Sequence, residues 1–190
     1  TGIERSESSG QLPSPAWKEA QYGEVWTAGD TVNLAIGQGA LQVTPAQMAR
    51  AVLGVAAGGP LPPLALVDRT EDPSGATPPE AWPRGEAGQL GLREDILTTI
   101  RDAMRGVTVP PLGTASDIFG DFPIAVAGKT GTAETLPDQE PHAWFAGYAP
   151  ADSPQVVVVA MVEHAGMGSE VAAPVVRQVL ESLFGLAPPA

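Results

Sequence analysis

Between residues 122 and 163 the chain carries three runs of strand-forming composition, joined by loops too short for a crossover. Residues 122–134 open apolar and continue in small and β-branched side chains. Residues 142–148 alternate Trp144, Ala146 and Tyr148 against Phe145 and Gly147, and residues 155–163 have an unbroken apolar centre. Parallel neighbours need a dozen or more connecting residues, so the short loops at 135–141 and 150–154 predict antiparallel hairpins. The unbroken centre of the third run suits a sheet covered on both faces. Gly166 to Ser169 break the pattern, and residues 170–184 read as a helix that packs on the sheet. The predicted class is α/β of the α+β kind: an antiparallel sheet with packed helices.

The rest of the chain is less regular. Residues 1–28 are polar and punctuated by Gly, Pro and Ser, and read as extended loop pinned by Trp17, Tyr22 and Trp26. Residues 30–39 end in Gly37-Gln38-Gly39, a tight turn or the lip of a site. Thr44, Pro45 and Gln47 form a helix start, with a buried helix following over residues 46–57, Met48 in its core and Gly58-Gly59 as the stop. A short strand is expected within 60–67. Residues 68–89, dense in Pro, Gly and charge, read as a surface insertion or mobile loop in which Trp82 has no evident partner. In residues 94–104, Ile96, Leu97, Ile100, Ala103 and Met104 follow the helical period. The length fits one domain, divided into a loop and helical part (1–121) and the sheet with its helix (122–184).

Composition narrows the function. A net charge of −12 argues against nucleic acid and anionic membrane surfaces. The absence of cysteine excludes disulfides and thiolate metal sites, and no spacing of His, Asp and Glu resembles a metal centre. No apolar run reaches the length of a membrane span.

Chemistry concentrates in Gly128-Lys129-Thr130-Gly131-Thr132-Ala133-Glu134, which holds one of only two lysines. An edge strand with small residues can pair with an extended peptide through its main chain. Lys129 and the hydroxyls of Thr130 and Thr132 then suit a peptide ending in a carboxylate. Gly131 marks a place where another backbone comes close. Strict alternation puts the two threonines on one face and Lys129 on the other, so one site can use all three only at the rim of a cleft. A solvated edge strand carrying a protective lysine has the same composition.

Lys129-Thr130-Gly131 matches the third signature of penicillin-recognising serine enzymes. Leu12 to Lys18, Gly29 to Gly39, Val43 to Ala49 and Gly113-Thr114-Ala115 fall in the same order, and together they resemble the class B penicillin-binding proteins from Thr1 to about Phe184. The resemblance implies the penicillin-binding-protein/β-lactamase-like fold and peptidoglycan cross-linking. It makes Lys129, Thr130, Gly131 and Thr132 the substrate-binding strand and the Thr132 N–H one oxyanion donor. It also implies stem peptides ending in D-Ala-D-Ala and β-lactams as ligands, with no cofactor or metal. Cell-wall elongation or division proteins are the implied partners, outside the cytoplasm. The alternative is a β-lactam-binding sensor or assembly module that uses the same strand without turnover.

Two family motifs are missing. The residues three places before Lys18 and Lys129 are Pro15 and Val126, so no Ser-x-x-Lys exists. Thr31-Val32-Asn33 imitates Ser-x-Asn but matches a stretch that lies downstream of it in the family. The expectation is therefore a C-terminal part of a transpeptidase domain, with its nucleophile in a missing N-terminal part. His142 and His164 are expected to be structural or surface groups, and Glu134, Asp138 and Glu140 a solvated loop. Incubated with penicillin, these 190 residues alone should keep their mass. A stable increase of one penicillin would instead reveal a nucleophile such as Ser116 or Ser169.

Overall fold

The computed structural model describes residues 1, 3, 6–135 and 137–186. Gly2, Glu4 and Arg5 of the expected N-terminal loop and Leu136 of the expected 135–141 loop lie outside that set. The expected extended stretch 1–28 instead holds α1 (Pro15–Tyr22). Ser14 accepts the Trp17 N–H at its start, Pro15 presets the first turn, and Gly23, at φ +69°, closes the end. These caps were legible, but a helix of eight residues with none buried shows little hydrophobic period.

Helix α2 (Ala28–Ala35) begins with a reciprocal cap between Thr27 and Asp30. The same Asp30 carboxylate accepts Lys18 Nζ at 2.8 Å, tying α1 to α2. Helix α3 (Pro45–Ala56) starts on the second such box, Thr44 with Gln47, where the sequence places it. It is half-buried rather than buried: only Val52 and Gly54 are fully enclosed. One side faces the sheet, where Met48 and Val55 pack against Ala127, Ala146 and Tyr148.

The next stretch is shallow. Strand β1 (Pro60–Leu61) pairs with β4 (Gly88–Gln89), and between them β2 (Arg69–Thr70) pairs with β3 (Glu80–Ala81). Most of 68–89 is exposed. Helix α4 (Glu94–Gly106) buries Leu97 and Met104, and the single turn α5 (Ser116–Phe119) buries Phe119.

The sheet then forms from β5 (Ala127–Ala133), β6 (His142–Ala149) and β7 (Val156–Val162), antiparallel in that order. The first strand begins at Ala127, not Phe122. Pro123 has no N–H for a ladder. The Phe122 N–H donates to Phe119 O at 3.0 Å, and its ring lies under the Arg177 guanidinium, 5.6 Å away. Ala125 O accepts from Ala151. Residues 122–126 therefore belong to the α5 corner.

Helix α6 (Ala172–Leu183) covers one sheet face, with Ala172, Ala173, Val176 and Leu180 against Ala143, Phe145 and Ala149. Helices α3 and α4 cover the other with Val52, Met104 and Ile100. Gly128 and Gly147 make room for the Phe145 ring: a Cβ on Gly128 would lie 2.4 Å from it, and one on Gly147 2.9 Å.

The Lys18 ammonium, then the Thr27 hydroxyl and N–H, hold the Asp30 carboxyl at about 2, below its ordinary 3.8. A lowered carboxyl stabilises the folded form above the ordinary value, and that contribution is lost as pH falls from about 4 to about 2. Fluorescence of Trp17 and Trp26 should report loosening of the α1–α2 segment across that window. Asp30→Asn, which does not titrate, should flatten this response.

Candidate functional site

Strand β5 ends the sheet, so alternate residues turn their main-chain groups away from β6. Four contacts identify that outward set. Thr108 Oγ1 donates to Val126 O at 2.6 Å, and Lys129 Nζ to Thr130 O at 2.6 Å. Gln38 Nε2 donates to Thr132 O at 2.8 Å, and the Glu134 N–H donates to Gln38 Oε1 at 3.2 Å. By the same alternation the Thr132 N–H faces this edge.

The side chains divide as the alternation requires. Thr130 lies opposite Phe145 and Thr132 opposite Ala143, on the α6 face, while Lys129 lies opposite Ala146, on the α3 face. Lys129 nevertheless returns its ammonium to the edge by bonding the carbonyl of the next residue. The charge and the outward main-chain groups thus meet at the rim.

Two loops hold the threonines. The Oγ1 atoms of Thr114 and Thr130 are 2.9 Å apart. Thr114 follows Gly113, where a Cβ would sit 2.4 Å from Val107 O, so only glycine lets the loop fold tightly enough to bring it there. On the other side the Gly168 N–H donates to Thr132 Oγ1 at 3.4 Å. A Cβ on Gly168 would lie 2.2 Å from Trp144 O and 2.3 Å from Gly131 O. The backbone that comes close to Gly131 is this loop.

The other candidates fall elsewhere. The His164 N–H donates to His142 Nδ1 at 3.0 Å, and His164 Nδ1 lies 3.1 Å from Glu140 O. The two rings, 4.5 Å apart, tie the loop after β5 to the loop after β7. Glu134, Asp138 and Glu140 are exposed, and among the described residues no three His, Cys, Asp or Glu side chains gather as a metal site. Ser116 is buried at the start of α5. Trp17, Tyr22 and Trp26 line a small cleft that Gln38 borders, with the Trp17 and Tyr22 rings edge-on at 5.5 Å. Sequence reading offers residues 37–39 only as a tight turn or the lip of a site and 113–115 only as a turn before the strand, and gives neither Gln38 nor Thr114 its contact with the β5 edge. Their signals were the tight Gly113-Thr114-Ala115 turn and the two glycines around Gln38.

The model of the penicillin binding protein transpeptidase domain matches residues 1–181. The peptidoglycan D,D-transpeptidase MrdA of Haemophilus influenzae is 33% identical, over 95% of this chain and 30% of its own length. A solved peptidoglycan synthase complex that coordinates polymerization and crosslinking contains a chain that superposes with a TM-score of 0.81. That chain is 37% identical, over 100% of this chain and 31% of itself. Pseudomonas aeruginosa PBP2 superposes at 0.77 with 34% identity, over 93% of this chain and 38% of that one. The chain thus spans about a third of the length of the relatives it matches.

The rim depends on the close seat of Gly168. Gly168→Ala forces a Cβ against three main-chain atoms that no rotamer change can move. Unfolding in urea should show a loss of about 1–3 kcal/mol, and the Thr132 amide resonance should shift.

Proposed function

This chain belongs to the penicillin-binding protein transpeptidase family, and on that premise we propose that the β5 edge holds the carboxylate end of a cell-wall stem peptide for serine-dependent acyl transfer. The reading is supported by the outward edge of β5, where Lys129 Nζ bonds the Thr130 carbonyl, the Thr132 N–H faces out by alternation, and the Thr130 and Thr132 hydroxyls stand on the adjoining α6 face.

The roles follow from chemistry. Lys129 supplies a point charge for the terminal carboxylate, and the Thr130 and Thr132 hydroxyls supply donors to its oxygens. Gly131, without a side chain, lets an extended peptide lie against the strand. The serine comes from a segment outside these residues and attacks the penultimate D-Ala carbonyl carbon. The carbonyl oxygen then takes the negative charge, and the Thr132 N–H donates to it. Such a donor is worth roughly 3–4 kcal/mol of barrier. Collapse of that intermediate breaks the peptide bond, and the terminal D-Ala leaves as a protonated amine. An amine of a second stem peptide then attacks the acyl-serine ester, forms the cross-link and frees the serine. A β-lactam enters by the same carboxylate contact, and its opened ring stays tethered to the serine.

This reading makes the chain part of an enzyme like penicillin-binding protein 2, on the outer face of the cytoplasmic membrane, working beside cell-wall elongation or division proteins. No helix among the described residues is long and apolar enough to cross a membrane, so an anchor would lie outside them. The division expected at residues 121 and 122 moves with the start of β5: the sheet with α6 carries the binding strand from Ala127, and the preceding part, residues 122–126 included, braces it.

Acylation by a fluorescent penicillin tests the reading in the intact protein that carries these residues. Lys129→Ala should lower the acylation rate constant by about 100-fold or more, with the folded fraction unchanged. An unaltered rate would sink the assignment of this edge as the site.

A further inference from the structure

Gln38 is far from β5 in sequence, yet it occupies the end of the strand as a neighbouring strand would. One carboxamide donates to Thr132 O and accepts from the Glu134 N–H. These two contacts hold the peptide planes on either side of Ala133.

The main chain of Gln38 is itself fixed. Helix α2 ends with Gly37 at φ +75°, its N–H donating to Leu34 O at 3.1 Å. The Gln38 N–H donates to Asn33 O at 2.8 Å. This pair of bonds is a Schellman ending, which places the second residue past the cap residue Ile36 in one position. The start of α2 is equally tied down, through Thr27 with Asp30 and through Lys18. The carboxamide therefore reaches β5 from a braced base.

We propose that Gln38 is a positioning residue that fixes the end of β5 at Thr132, and through it the direction of the Thr132 N–H, by standing in for the missing strand neighbour. This rests on the reading of the β5 edge given above. Freed from Gln38, the two peptide planes after Thr132 would rotate with the strand end, and the adjoining Gly131–Thr132 plane, which carries the Thr132 N–H, would lose its alignment through the freed Thr132 backbone. Gln38 does not block the site, because the Thr132 oxygen keeps a second lone pair for a ligand N–H.

The test measures acylation by a fluorescent penicillin in the intact protein, separating the rate constant from noncovalent affinity. Gln38→Met keeps length but removes donor and acceptor. It should slow acylation on the order of 10- to 100-fold while affinity and folded fraction change little. Gln38→Glu supplies a second readout. Only its protonated carboxyl offers both an O–H donor for Thr132 O and an acceptor for the Glu134 N–H. Its rate relative to the unaltered protein should therefore rise as pH falls from 8 toward 5. A brace of the fold alone would lower the melting temperature and leave this ratio flat. A flat ratio, or an unchanged rate for a folded Gln38→Met, overturns the proposal. If Lys129→Ala also leaves acylation unchanged, the reading of the edge falls with it. If Lys129→Ala alone is slow, only the role of Gln38 is wrong.

Discussion

A strand at the end of a sheet leaves main-chain donors and acceptors without partners, and much of this chain serves to decide which of them stay open. Just before β5 the Val126 carbonyl goes to Thr108, and at the far end the Thr132 carbonyl and the Glu134 N–H go to Gln38. Between those ends the main chain of Gly128 and the N–H groups of Thr130 and Thr132 face outward by the strand's alternation. An uncovered edge invites any extended chain to add to it. Closing both ends limits that pairing to a few residues, which a short peptide can satisfy and a long strand cannot. The lysine adds charge where the pairing is open, and on the proposed reading the hazard of an edge becomes selection for an extended peptide with an anionic end.

Each flank owes its place to a residue with no side chain. Gly113 lets the loop after α4 turn close enough to bring Thr114 to Thr130. Gly168 lets the loop after β7 lie flat on Gly131 and reach Thr132. Gly37 ends α2 in a left-handed turn that delivers Gln38. Three separate segments thus converge on seven residues of strand. Behind them the Phe145 ring packs closely over Gly128 and Gly147.

The sheet was legible because its signals are local: alternation in residues 142–148, an apolar centre in 155–163 and loops that permit only hairpins. Helix α3 was legible in its caps, though its depth was not, since burial depends on what packs against it. Helices α1 and α2 escaped for the opposite reason. Their stability comes from caps and from the Lys18–Asp30 pair rather than from a hydrophobic stripe. The start of β5 was misplaced because Phe122 and Ile124 look like strand residues, while the partners that claim 122–126, Phe119, Arg177 and Ala151, lie elsewhere in the chain. In the site, Lys129 to Thr132 were visible as a motif. Thr114 and Gln38 needed the fold, because each meets β5 across a distance that no local pattern records.

Helix α2 works as a ruler. It is anchored at its first turn by Thr27, Asp30 and Lys18 and hands off Gln38 at its last. One residue added to or removed from α2 would carry the hand-off about 1.5 Å along the axis and about 100° around it. The carboxamide would then point away from Thr132. Segments such as 68–89, open to solvent, can vary in length at little cost. The eight residues of α2 cannot without losing the Gln38 contact, and on the proposed reading their number is as much a part of the site's chemistry as the lysine.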